Sequence, residues 1–388
     1  MLSTIYFASY ILKKDFSAEC GIHNLKDSCL KPRRIKIMTL NELLAITIIQ
    51  KASDLHLTVD APPTIRVDGR LAPVDADKLL PHDTQEYVKE VLNDRDYKTY
   101  LSNGEFDASY SIAGLGRFRV NIFKQRGNDA LAIRVVSLKI PTLNDLGFPP
   151  ILKDLTLKQR GLVLVTGPTG SGKSTTLAAM INEINMTRSA HIITLEDPIE
   201  YIHKHNKCII NQREVGKDSI SYQNALKSAL REDPDVILVG EMRDLESISI
   251  AITAAETGHL VLSTLHTIGA AKTIDRIIDV FPTHSQTQIR VQLASVLQGI
   301  ISQQLLPKAS ERGRIAALEI MTSTPAIQNL IREGKSHQIE SSIQTGMKYG
   351  MKTMDMAISE LCRKGIIDRE TAVSYCVNRD MFEKMAII

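Results

Sequence analysis

The stretch LVLVTGPTGSGKSTTLAAMINEI, residues 162–184, decides the fold. A short apolar run, LVLVT (162–166), leads into Gly167-Pro168-Thr169-Gly170-Ser171-Gly172-Lys173-Ser174, which satisfies GxxxxGK[ST] at every position. A helical pattern then runs from Thr175 to Ile184. Strand, glycine-rich turn and helix are the context this motif requires. The glycines let the backbone curl so that successive N–H groups point inward, and the helix start adds positive potential. The expected ligand is the phosphate chain of ATP, bound by Gly167 to Thr175. Lys173 reaches the β- and γ-phosphates, and Ser174 is the expected Mg²⁺ ligand.

Working outward, HIITL (191–195), VILVG (236–240) and LVLST (260–264) repeat the short apolar run, each ending at Gly, Thr or an acidic residue. Such runs read as parallel strands covered by helices on both faces, an α/β fold. Ligands of these sheets lie beyond the carboxyl ends of the strands, so the residues that follow each run are site candidates. After 236–239 comes Gly240 where an Asp would be usual, and the carboxylate best placed to orient attacking water is Glu241. After 191–195 come Glu196 and Glu200, which should face one crevice and could hold Mg²⁺ through water, unless the segment is a bland loop. In GHLVLSTLHT (258–267) the two histidines would face opposite sides of a continuous strand and form no obvious metal pair. His266 is expected to sense the γ-phosphate or a neighbouring subunit. His259 could equally be a core histidine.

The rest of the chain bounds the function. Its 388 residues suggest two domains, and 43% hydrophobic with 23% charged residues excludes global disorder. Residues 1–37 carry seven Lys/Arg against three Asp/Glu, which leaves 40 against 41 from Met38 onward. A basic footprint for nucleic acid is therefore missing from the main body, and no direct nucleic-acid partner is expected. No apolar run reaches the roughly 20 residues of a membrane-spanning helix, and the apolar start (MLSTIYFASYIL) has its positive charges after it, a poor signal peptide. The five cysteines form no CxxC pair, so neither a disulfide framework nor a zinc knuckle is suggested and a cytosolic protein is expected. Residues 38–140 mix an amphipathic helix (Leu40, Leu43, Leu44, Ile48) with β-rich runs at 55–59 and 118–123. IPTLNDLGFPP (140–150) reads as an interdomain hinge. The division is therefore a tail at 1–37, with Met38 as the expected start of the working protein, a first domain at 38–140, a linker at 141–150 and an ATPase domain at 151–388.

The phosphate loop (167–174), the acidic box (196–200), the modified second nucleotide motif (235–244) and the histidine box (258–267), in that order, resemble the secretion-ATPase superfamily of pilus motors and type II and type IV secretion ATPases. Leu230–Asp244 (LREDPDVILVGEMRD) carries its signature. The resemblance implies a homo-hexamer whose subunits pair a PAS-like α+β domain with a RecA-like P-loop ATPase domain. It also implies arginines from the first domain at the active site, by position Arg119 in GRFRVN and Arg134 in AIRVV. Taken alone, such strand arginines are usually solvated or paired. Three features resemble the pilus-retraction branch: ASDLHL at 52–57, no cysteine between 208 and 362 to build a four-cysteine zinc module, and AIQNLIREGK at 326–335, with Gln328 where that branch has Arg. Thr324 should cap and Pro325 start that last helix, with Ala326, Ile327, Leu330 and Ile331 as its apolar stripe and Gly334 as its end.

The reading is an ATP-hydrolysing ring that pulls type IV pilins back into the membrane, attached peripherally to its inner face through a membrane platform protein. An assembly or secretion ATPase, a RecA-like nucleic-acid motor and a nucleotide-binding scaffold with little turnover are the rivals.

Overall fold

The computed structural model describes residues 38–382, apart from Asp68, Ala113, 137–139, Arg243, 311–312 and 380–381. The expected tail at 1–37, and the expected start at Met38 that depends on it, lie outside or at the edge of the described residues. The chain divides at Leu138 into two compact units.

The first unit opens with the helix Leu40–Ile49. Thr39 Oγ1 accepts from the Glu42 N–H and Glu42 returns the favour to the Thr39 N–H, so both orphan donors are met. Its Leu40, Leu43 and Leu44 are buried. Six strands follow, with the helices Pro81–Val91 and Asp94–Asn103 between the third and fourth: β1 (Asp54–Leu57), β2 (Thr64–Val67), β3 (Arg70–Pro73), β4 (Glu105–Ile112), β5 (Gly116–Gln125) and β6 (Asn128–Val136). They form one antiparallel sheet in the order β3-β2-β1-β6-β5-β4, an α+β unit. Alternation fixes its inner face. Phe118, Val120 and Ile122 of β5 are fully buried while Arg119 and Asn121 are exposed.

The second unit is built on β7 (Gly161–Thr166), β8 (His191–Glu196), β9 (Ile209–Glu214), β10 (Val236–Val239), β11 (Leu260–Leu265), β12 (Leu297–Pro307) and β13 (Arg314–Thr322). Their order is β13-β12-β7-β11-β10-β8-β9, and every pairing is parallel except β12 with β13. Burial on both faces is visible strand by strand. Leu162 and Leu164 of β7 enter one apolar core while Val163 and Val165 enter the other, and β10 divides in the same way. This is why the four runs read as continuous apolar segments rather than alternating ones. Strands β9, β12 and β13, more polar and interrupted, carried no such pattern.

Within the expected linker, Leu143 is buried in a core of this second unit, with Leu146 and Phe148 packed against it. Thr142 and Asp145 exchange backbone-to-side-chain bonds of 3.0 and 3.1 Å. The segment from Thr142 is thus part of the second unit, because its apolar side chains bury there. After the β12–β13 hairpin the chain turns helical. Thr324 accepts from the Ile327 N–H, Pro325 opens the helix Pro325–Arg332, and Gly334 follows with φ 70°. Ile327 and Ile331 are buried and Leu330 is half-buried, but Ala326 is exposed, so the stripe is narrower than expected. Among the described residues no helix is long and apolar enough to cross a membrane.

Candidate active site

Parallel pairing brings the ends of β7, β10 and β11 to one rim, and the site assembles there. Gly167, Gly170 and Gly172 all have positive φ (137°, 78° and 90°), as the curled loop needs. A Cβ on Gly167 would meet Gln303 O at 2.2 Å, and one on Gly172 would meet Gln303 Nε2 at 2.8 Å, so both positions also lack room for a side chain. Lys173 begins the helix Lys173–Thr187, and its Nζ donates to Gly167 O (2.9 Å) and Pro168 O (3.1 Å). Burial holds the Lys173 ammonium below its ordinary pKa, and the charges of Glu241 and Glu200 work in the opposite direction.

Glu241 follows β10 and His266 follows β11, and their side chains meet: His266 Nε2 lies 3.1 Å from Glu241 Oε1. His266 Nδ1 lies 3.4 Å from Lys173 Nζ and 3.5 Å from Thr169 Oγ1. The imidazole therefore stands between the loop lysine and the carboxylate. A Cβ at Gly240 would lie 2.9 Å from Tyr222 Oη and 3.1 Å from Leu195 O, so a side chain there would require these neighbours to give. The Gly240 N–H donates to Leu195 O and its carbonyl accepts from Thr264 Oγ1 at 2.6 Å, which aims the chain so that Glu241 leaves at the rim.

The acidic box divides. Glu196 Oε1 accepts from Thr194 Oγ1 (2.7 Å) and Gln212 Nε2 (3.2 Å), and the Glu200 N–H donates to the same carboxylate. Burial pushes its pKa up while these bonds pull it down. Its Oε1 is thus engaged by protein donors. Glu200 is exposed and acts on Lys173 by charge. Thr175 Oγ1 pairs with Tyr201 Oη at 2.8 Å, joining the nucleotide helix to this box. His259 belongs elsewhere: it precedes β11, and its Nδ1 lies 2.9 Å from Ala254 O.

Arg119 and Arg134 lie in the first unit. They are direct partners across β5 and β6, so both point to one face of the sheet, and both are exposed. Arg134 Nε is 2.9 Å from Asp54 Oδ1, and Arg119 Nε is 4.0 Å from Asp107 Oδ1.

Gln303 is the residue that the sequence reading missed. Its Nε2 donates to Ser171 O (2.6 Å) and its Oε1 accepts from Thr176 Oγ1 (2.7 Å), so one buried amide grips the loop and the first helical turn. Register puts it there, because Ser302 of β12 pairs with Thr166, the last residue of β7. Two glutamines inside GIISQQLL (299–306) were the available signal, since a polar amide in an apolar strand must find partners. The residues present fit a nucleotide phosphate. Besides the glycine cradle and Lys173, the buried Ser171 hydroxyl has no hydrogen-bond partner among the described residues. Among those residues no cluster of three or more His, Cys, Asp or Glu is arranged to hold a metal by itself.

The family model described as type II/IV secretion system protein matches residues 33–372. The chain belongs to that family. Among its relatives, the type IV pilus retraction ATPase PilT of Pseudomonas aeruginosa is 51% identical over 335 residues, 86% of this chain and 97% of that protein. A twitching motility protein of Neisseria gonorrhoeae is 48% identical over 330 residues, covering 85% of this chain and 88% of that one. The crystal structure of the pilus retraction motor PilT with bound ADP superposes with a TM-score of 0.85 at 48% identity, covering 90% of this chain and all of the other. This chain is thus a secretion-family ATPase.

Proposed function

We infer that the chain is the ATP-driven motor of type IV pilus retraction. The likeness to retraction ATPases along most of both chains supports this, and the meeting of Glu241, His266 and Lys173 at one rim carries the chemistry. Glu241 orients the attacking water and accepts its proton, and His266 holds that carboxylate beside the loop. Lys173 and the loop N–H groups bind the terminal phosphates and take up charge as the bond to the leaving group breaks. Mg²⁺, held by the Ser174 hydroxyl and the phosphates, would neutralise further charge. Arg119 and Arg134 add the remaining positive charge from the first unit. Glu196 and Glu200 shape the box that Tyr201 ties to Thr175. The motor works as a homo-hexamer on the cytoplasmic side of the membrane, attached peripherally through a platform protein of the pilus machine, and the segment 140–150 is the proposed hinge.

Deleting the gene tests this reading. Retraction predicts cells that keep surface pili and lose twitching, and that Glu241→Gln fails to restore. Cells without surface pili would mark an assembly ATPase instead. The Gln variant should lose about 10²–10⁴ in turnover, the contribution of a positioned general base.

A further inference from the structure

Strand β12 carries a second tether beside Gln303. Ser302 and Glu319 are directly paired across β12 and β13, and they accept consecutive backbone N–H groups at the start of the helix Ala270–Asp279. Ser302 Oγ takes the Gly269 N–H at 2.9 Å, and Glu319 Oε1 takes the Ala270 N–H at 2.7 Å. The other oxygen, Glu319 Oε2, accepts the Met354 N–H at 3.3 Å, so the carboxylate is held from both sides. Glu319 is buried, and the charged groups acting on it, Glu340 and Asp355, are both acids. A buried acid whose only favourable partners among the described residues are backbone N–H groups is a costly way to cap a helix. Gly269 itself holds φ 91°, where an Asn, Asp or Ser would be strained, so the cap has to come from another segment.

What the pair adds is a common reference. The helix start it grips lies three residues after His266. The neighbouring residue on the same strand, Gln303, grips the loop that carries Lys173. Adjacent residues of β12 thus fix the two loops whose side chains stand 3.4 Å apart as Lys173 Nζ and His266 Nδ1.

We propose that Glu319 and Ser302 are positioning residues that anchor the His266 loop to β12, and so set the Glu241–His266 pair against the phosphate loop. This rests on the reading that Glu241 and His266 orient water. Because the phosphate loop has its own tether, the two substitutions should act on turnover and spare nucleotide binding.

The test measures steady-state ATPase of the full chain, with kcat and KM separated, alongside binding of a fluorescent ADP and thermal melting. Glu319→Gln removes the charge and leaves one acceptor oxygen, while Ser302→Ala removes a single hydroxyl and is the safer variant for folding. Both should lower kcat at least fivefold, with KM and ADP affinity within twofold of the parent. If Ser302→Ala melts as the parent does and keeps its kcat, the proposal fails. It also fails if kcat and ADP affinity fall together, which marks general loosening. Glu241→Gln run in parallel separates the two ideas. Parent-like turnover in that variant would sink the water-orienting reading, whereas its loss beside normal Ser302→Ala and Glu319→Gln enzymes would sink the anchoring alone.

Discussion

Replacing Gln303 by Met keeps an unbranched side chain of similar length and removes both amide bonds. The Ser171 carbonyl then loses its 2.6 Å donor in a buried setting, a cost of about 1–3 kcal/mol. Thr176 Oγ1 fares better, because Gly172 O stands 3.2 Å away as a second acceptor, so its loss is about 0.5–1.5 kcal/mol. The sum, roughly 2–4 kcal/mol, falls on the conformation of the phosphate loop. Part of it appears as global stability, at about 2–4 °C per kcal/mol for a unit of this size. The rest weakens nucleotide binding, since a loop no longer held open for phosphate must be ordered by the ligand. We expect the Kd for fluorescent ADP and the KM for ATP to rise at least tenfold, equivalent to about 1.4 kcal/mol, with kcat changed much less. Gln303→Glu should be no better, because it sets a carboxylate oxygen against Ser171 O. A variant that melts lower but binds ADP within twofold of the parent would refute the reasoning and leave Gln303 a core amide only.

Arg119→Ala and Arg134→Ala should each cut ATP turnover sharply, up to the roughly 10³–10⁵ of an arginine finger. Both side chains are exposed, so melting should barely move, and unchanged turnover in both would remove them from the chemistry. The double variant Arg332→Ala with Glu333→Ala changes only exposed side chains beyond the buried Ile327 and Ile331. It should keep its assembly and much of its ATPase yet fail to retract pili, and normal retraction would reduce that helix to packing. Bonds from Lys352 and Lys364 hold the Glu360 carboxyl down to about 2. Its folded pKa lies below the unfolded one, so its contribution is present at neutral pH and lost as pH falls from about 4.5 toward 2. Glu360→Gln should therefore melt slightly lower than the parent at pH 7, the effect being small at this solvated site, and the two curves should converge in acid. A constant gap across pH would contradict the assignment.

Local patterning is enough to read the strands of the second unit and its phosphate loop. Four apolar runs, each too short and too uniformly apolar to face water on one side, specify parallel strands buried on both faces. GxxxxGK[ST] at the end of one of them specifies a phosphate site, because curled glycines and a helix start serve that purpose locally. The helix after Thr324 was legible for the same reason, its cap, its Pro and its terminal Gly all lying within a few residues of each other. Tertiary structure decided what depends on distant segments meeting. Glu196 and Glu200 look equivalent in the chain, and only the neighbouring strand β9, through Gln212, shows that one is bonded inward while the other acts by charge. The crowding of a Cβ at Gly240 by Tyr222 and Leu195 is likewise visible only in three dimensions. Gln303, Ser302 and Glu319 lie more than 125 residues from Ser171 and Thr176 or about 33 to 49 from Gly269 and Ala270. Hydrogen bonds of such range are set by strand order and register, and periodicity along the chain reports only which face a residue occupies, never which partner waits there.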